Sequence, residues 1–145
     1  PAEELTVRVG RIGLQIEALI ESHRPAVIAI ERVFSQQNVS TVMGTAQISG
    51  AVLMLAHKHN IPVVMYTPTQ VKAAVTGSGR AAKDQVGFMV AKILGLQEVP
   101  KPADAADSLA IAICHAWRSP AATESANLTS AQKAWLAAER AAKTK

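Results

Sequence analysis

The sequence predicts an α/β protein, on three observations. A short, uniformly apolar run, "AVIAI" (26–30), is followed by a helix-length segment and then by a second strand-like run, "IPVVMY" (61–66). Strand, crossover helix and strand make a βαβ unit, in which the strands are parallel and the connection right-handed. The chain also has 145 residues, 49% of them apolar, enough for one domain with a real core.

Each element has its own signal. Leu5, Val9, Ile12, Ile16 and Leu19 recur at three and four residues, with Arg8, Arg11 and Glu17 between them. That is the apolar stripe of an amphipathic helix, expected to end near Ser22, before Pro25. "AVIAI" is bounded by proline and charge and predicts a central strand covered on both faces. Thr41 to about His59 predicts the crossover helix, in which Gly44, Ala46, Gly50 and Ala51 leave room for close packing and Gly44 and Gly50 mark a candidate dimer contact. In "TPTQ", Thr67 stands as N-cap, Pro68 at the first helical position and Gln70 in the capping-box position of a short helix ending at Gly77. A helix from about Ala81 to Leu94 stops at Gly95, "VPKP" makes a stiff connector, and "ADAADSLAIAICHAW" starts a final core helix. After Pro120 the chain turns alanine-rich, and Thr129 or Ser130 caps a last helix carrying Trp135 and Leu136.

Composition narrows the function classes. No apolar run approaches the roughly 20 residues of a membrane span, and no leader pattern is present, so a cytoplasmic protein without membrane partners is expected. The lone Cys114, between Ile113 and His115, reads as a buried thiol. The net charge of +4 makes an anionic partner plausible without naming one.

The chemistry lies in three acids. Glu31 directly follows an apolar strand, at the strand end where open sheets bind ligands. Asp104 and Asp107, three apart, project from roughly one face of a helix start. Capping explains that pair by itself: Asp104 as N-cap and Asp107 near the positive helix end stabilise by about 1 to 2 kcal/mol together. Glu31 could likewise pair with Arg32 on a solvated edge. If all three meet, they repel unless a cation lies among them, and carboxylates with retained waters suit Mg²⁺ or Mn²⁺. Lys72, Arg80, Lys83 and Lys92 concentrate positive charge between residues 70 and 92, where Asp84 is the one acid. Phe34 follows in a polar loop with Ser35, Gln36, Gln37 and Asn38, either as a core residue or as a stacking surface. His115 reads as structural, and Trp117 as packed beneath the sheet. No G-x-G-x-x-G turn or G-x-x-x-x-G-K-[ST] loop supports a generic nucleotide-binding domain.

Together, "AIERVF", "VKAAVTG", "AAKDQV" and "ADAADSLAIAICH" resemble, in order and spacing from about Leu5 to Arg118, the RuvC family of Holliday junction resolvases, a branch of the RNase H-like superfamily. The resemblance implies an RNase H-like nuclease domain over 1–120 followed by a helical tail over 121–145. It implies a homodimer that nicks two strands of four-way junction DNA symmetrically in recombination and repair, alongside the RuvA and RuvB branch-migration proteins. Glu31, Asp104 and Asp107 fall on three of the family's four acidic positions, as catalytic ligands for two Mg²⁺ or Mn²⁺ ions in the complete protein. Phe34, Lys72, Arg80 and Lys83 fall to DNA binding. The fourth acid, on the family's first strand, has no counterpart here, and the family's first three strands would precede Pro1. The expectation is therefore that those strands exist in the parent protein, or that another chain covers the apolar edge of "AVIAI". The rival reading is a noncatalytic junction-binding module with an incomplete metal site.

Overall fold

The structure, a computed structural model, describes residues 3–32 and 39–118, with the side chains of 39–41 left out. Phe34 and the 121–145 tail lie outside the described residues. Helix α1 spans Leu5–His23 and ends where Arg24 takes a left-handed conformation (φ 45°) and donates its N–H to the Ile20 carbonyl at 2.8 Å. Its inner stripe differs in part from the expected one. Val9, Ile12 and Ile16 are partly covered, but the stripe continues to buried Ile20, while Leu5 and Leu19 are exposed. After Ile16 the helix could turn inward at the third or the fourth residue; the burial of Ile20 shows that it is the fourth.

Strand β1 (Ile28–Glu31) pairs in parallel with β2 (Val63–Tyr66), in the register Ile28 with Val63 through Glu31 with Tyr66. Helix α2 (Val39–Lys58) makes the crossover. β1 starts two residues later than "AVIAI" suggests, at the point where the Ile28 N–H reaches the Pro62 carbonyl, 3.0 Å away. The reading of a central strand covered on both faces holds in part, and the uncovered edge expected of "AVIAI" is present. Among the described residues β1 has a strand on one side only, and Ile28, Ala29 and Ile30 are half-buried. Alternation nevertheless sorts the faces: Ala29 and Val64 pack on the core with Tyr66, and Glu31 shares their side.

Helix α3 (Pro68–Thr76) begins with the expected capping box: the Gln70 N–H donates to Thr67 Oγ1 at 3.2 Å, and the Gln70 side chain accepts from the Thr67 N–H at 2.9 Å. Gly77, at φ 79°, ends it in the left-handed region that glycine enters without penalty. Helix α4 (Lys83–Leu94) starts two residues later than expected, because Ala81 is buried in the core as part of the approach. Gln85 accepts from the Ala82 N–H at 3.0 Å; Ala82 has no side-chain acceptor to return the bond. Helix α5 (Ala103–Arg118) starts at Ala103, so Asp104 lies inside the first turn and is not the N-cap. Trp117 is 52% exposed rather than packed beneath the sheet, since the buried face of α5 runs through Ala106, Ala110, Ile113 and Cys114.

The core joins Tyr66 of β2 to Val71 and Val75 of α3, Val86 and Val90 of α4, and Ala110, Ile113 and Cys114 of α5. Gly87 of α4 leaves room for the connector to α5: a Cβ there would lie 2.9 Å from Val99 Cγ1 and 4.0 Å from Ala106 Cβ. α1 packs on α2, tied by Glu17, whose carboxylate accepts from Lys58 Nζ at 2.7 Å and lies 3.1 Å from His59 Nε2. No described helix is long and apolar enough to cross a membrane.

Candidate metal and nucleic-acid site

The βα junctions set the site. β1 ends at Glu31, on the side of the sheet that faces the core helices, one residue beyond its last apolar side chain. α5 passes this strand end and presents Asp107 in its second turn. Between them runs a groove of about 190 Å³ lined by Glu31, Asp107, Lys72 of α3 and Lys83 of α4, over an apolar floor that includes Val71, Val86 and Ala110. A larger cleft of about 530 Å³, lined by Phe88, Met89, Asp84 and neighbouring residues of the α3–α4 region, holds none of the predicted site residues.

Electrostatics at the groove are those of charges held close. Partial burial raises the Glu31 carboxyl above its ordinary value, and the negative charge of Asp107 raises it further, against the opposing pull of Lys72 and Lys83. Lys83 Nζ lies 2.8 Å from Asp107 Oδ2, and this hydrogen bond and charge, with smaller help from Asp104 and Glu31, raise the lysine. The groove thus sets two carboxylates, Glu31 and Asp107, beside two lysines, with Asp107 paired to Lys83.

The structure thus brings together four of the predicted residues: Glu31, Asp107, Lys72 and Lys83. Asp104 is exposed and outside the groove lining, near enough to act on Lys83. The carboxylates of Glu31, Asp104 and Asp107 do not all close within 4.8 Å of one another; among the described residues the one set of three potential ligands that does is Glu17, Glu21 and His59. There the Glu17 carboxylate is already satisfied by Lys58 and His59, so the set acts as an ionic tie between α1 and α2. Arg80 is exposed in the α3–α4 loop. That loop is a self-satisfied turn: the Ser78 N–H donates to Thr76 Oγ1 at 3.1 Å and the Arg80 N–H to Ser78 Oγ at 3.3 Å. Gly79 is required there, because a Cβ would stand 2.5 Å from Thr69 Cγ2.

Sequence reasoning missed one contact close to the site. The Tyr66 hydroxyl and His115 Nδ1 are 2.8 Å apart, and nothing in residues 49 apart announces such a pair.

A donor set of two groove carboxylates, with a third one turn away, is oxygen-only and suits a hard divalent cation.

Comparison with known proteins adds independent findings. The family model for "Crossover junction endodeoxyribonuclease RuvC" matches residues 1–115. A crossover junction endodeoxyribonuclease RuvC of Saccharopolyspora erythraea is 52% identical over 98% of the chain and 78% of its own length. That of Leifsonia xyli is 53% identical over 97% of the chain and 75% of its own length. Among solved structures, Thermus thermophilus RuvC in complex with a Holliday junction substrate superposes with a TM-score of 0.77 at 40% identity, covering 86% of this chain and 74% of that one.

Proposed function

The chain belongs to the RuvC family of crossover junction endodeoxyribonucleases, and from that premise we propose that it resolves Holliday junctions by metal-dependent nicking of two DNA strands at the groove between β1 and α5. The observation that carries the assignment of the site is the facing of Glu31 and Asp107 across a groove rimmed by Lys72 and Lys83.

Hydrolysis of a phosphodiester needs an activated water in line with the leaving oxygen and positive charge to offset what develops on the phosphoryl oxygens. Glu31 and Asp107, with Asp104 from the first turn of α5, would hold the divalent ions, two Mg²⁺ or Mn²⁺ per site, which would supply that Lewis acidity and an acidified water. The carboxylates are acceptor-only groups when ionised, the form in which they would bind a cation. Lys83, its side chain 61% exposed on a flexible stem, can exchange Asp107 for a phosphate oxygen; Lys72 lines the same groove, and Arg80, exposed in the α3–α4 loop, is a further phosphate contact. Phe34, three residues after Glu31 in sequence, stacks on a DNA base. Two matched nicks require two copies of the site, hence a homodimer acting on four-way junction DNA, with the RuvA and RuvB branch-migration proteins as its partners. Support for the dimer comes from α2, where Met43, Ala46, Gly50 and Leu53 form an exposed stripe of small and apolar residues.

Asp107→Asn in the intact protein tests the reading. Paired nicks in a synthetic junction should fall by at least about a hundredfold, with junction affinity largely kept. Unchanged Mg²⁺-dependent nicking would remove Asp107 from the site, and a native protein that binds junctions but never nicks them would leave a noncatalytic binding module.

A further inference from the structure

Glu31 and Asp107 are carried by different elements, so their separation depends on how α5 is seated against the sheet. Much of that seat is apolar: Ala110, Ile113 and Cys114 pack on Tyr66, Val71 and Val75. Apolar contact has no preferred direction and tolerates small slips of a helix along its axis. A hydrogen bond does not, because its strength falls steeply with distance and angle.

One such bond links the strand pair to the helix at the right place. Tyr66 is the register partner of Glu31 in the parallel ladder, and its carbonyl accepts from the Arg32 N–H at 2.7 Å, which fixes the strand end on which Glu31 stands. The Tyr66 ring is buried, 7% exposed, and its hydroxyl meets His115 Nδ1 at 2.8 Å. His115 follows Asp107 by eight residues on α5, with Ile111 between them at the helical spacing, about 12 Å along the axis. Each carboxylate is thus tied through its own element to one member of the pair.

We propose that Tyr66 and His115 are positioning residues, whose hydrogen bond sets the height and rotation of α5 so that Asp107 stands opposite Glu31. The inference rests on the reading of these carboxylates as the metal-holding pair. It matters because a misplacement of about 1 Å is enough to cost a hundredfold in rate.

The test uses Tyr66→Phe, which keeps the ring and removes the hydroxyl, His115→Leu, which removes the partner, and His115→Asn, which restores a polar atom near the place of Nδ1. In the intact protein, Mn²⁺ affinity is taken as the part of the titration lost in Asp107→Asn. Tyr66→Phe and His115→Leu should weaken it about tenfold and raise the Mg²⁺ concentration for half-maximal nicking to match, while His115→Asn stays within about twofold of native. Junction binding without divalent ions should stay unchanged, and the double variant should be no worse than either single one. Native Mn²⁺ affinity in Tyr66→Phe, or His115→Asn as defective as His115→Leu, would overturn the proposal. The two readings fail separately. Loss of nicking in Asp107→Asn beside native metal affinity in Tyr66→Phe sinks the positioning role alone, and weakened Mn²⁺ binding in a protein that never nicks junctions sinks the nuclease assignment alone.

Discussion

Glu31 stands at the exposed end of β1, beside Asp107 across the groove. Burial and the charge of Asp107 hold its carboxyl above the ordinary value of 4.5, so the folded state keeps this proton more tightly than the unfolded chain does. Stability therefore falls as pH rises from the ordinary glutamate range through the raised folded value, and the whole penalty is present at neutral pH. Glu31→Gln should raise the melting temperature in EDTA at pH 7, and the gain should fade on acidification below about pH 4.5, measured by thermal unfolding across that range. A variant that melts lower than native at pH 7 would show that Glu31 is held by favourable contacts. Lys72 and Lys83 belong to the same scale. If they contact phosphates, each alanine substitution should weaken junction binding and lower the slope of log affinity against log salt by about one. An unchanged slope would leave them with structural duties, such as the bond from Lys83 to Asp107. The carboxylates could be picked out from residue type and place alone, whereas the partnership of Lys83 with Asp107 could not, because it joins two helices.

At the scale of elements, local chemistry explains most boundaries. Thr67, Pro68 and Gln70 write the start of α3, and Gly77 and Gly95 write the ends of α3 and α4. Thr67→Ala removes the acceptor for the Gln70 N–H and should cost about 1 kcal/mol in denaturant unfolding; no change would mean that water caps the helix as well. The misjudged elements are those whose neighbours decide. Leu19 and Ile20 both continue the spacing of α1, and burial selects Ile20. Trp117 is large and apolar but lies off the face of α5 that Ala110, Ile113 and Cys114 bury. Asp104 has the residue type of an N-cap, yet α5 begins one residue before it.

For the whole molecule, symmetry is the remaining requirement of a junction-cutting enzyme. On α2, Gly44 faces Arg8 of α1, with 3.9 Å from its would-be Cβ to the guanidinium, while Gly50 opens outward beside Met43, Ala46 and Leu53. If this stripe is the dimer contact, Gly50→Arg should shift the intact protein to monomer in sedimentation equilibrium and abolish paired nicks; a persisting dimer would place the contact elsewhere. From its sequence alone this protein is an α/β domain with a parallel βαβ unit, a glutamate at a strand end, two aspartates on one helix and a basic segment between them. Those features follow from periodicity, capping chemistry and residue type, which act over a few neighbours. Tertiary structure alone decided that Glu31 shares a groove with Asp107 and not with Asp104, that Lys83 bridges to Asp107, and that Tyr66 reaches His115. Such distances depend on how helices settle on a sheet, and that settling sums many weak, nondirectional contacts that no short stretch of chain encodes.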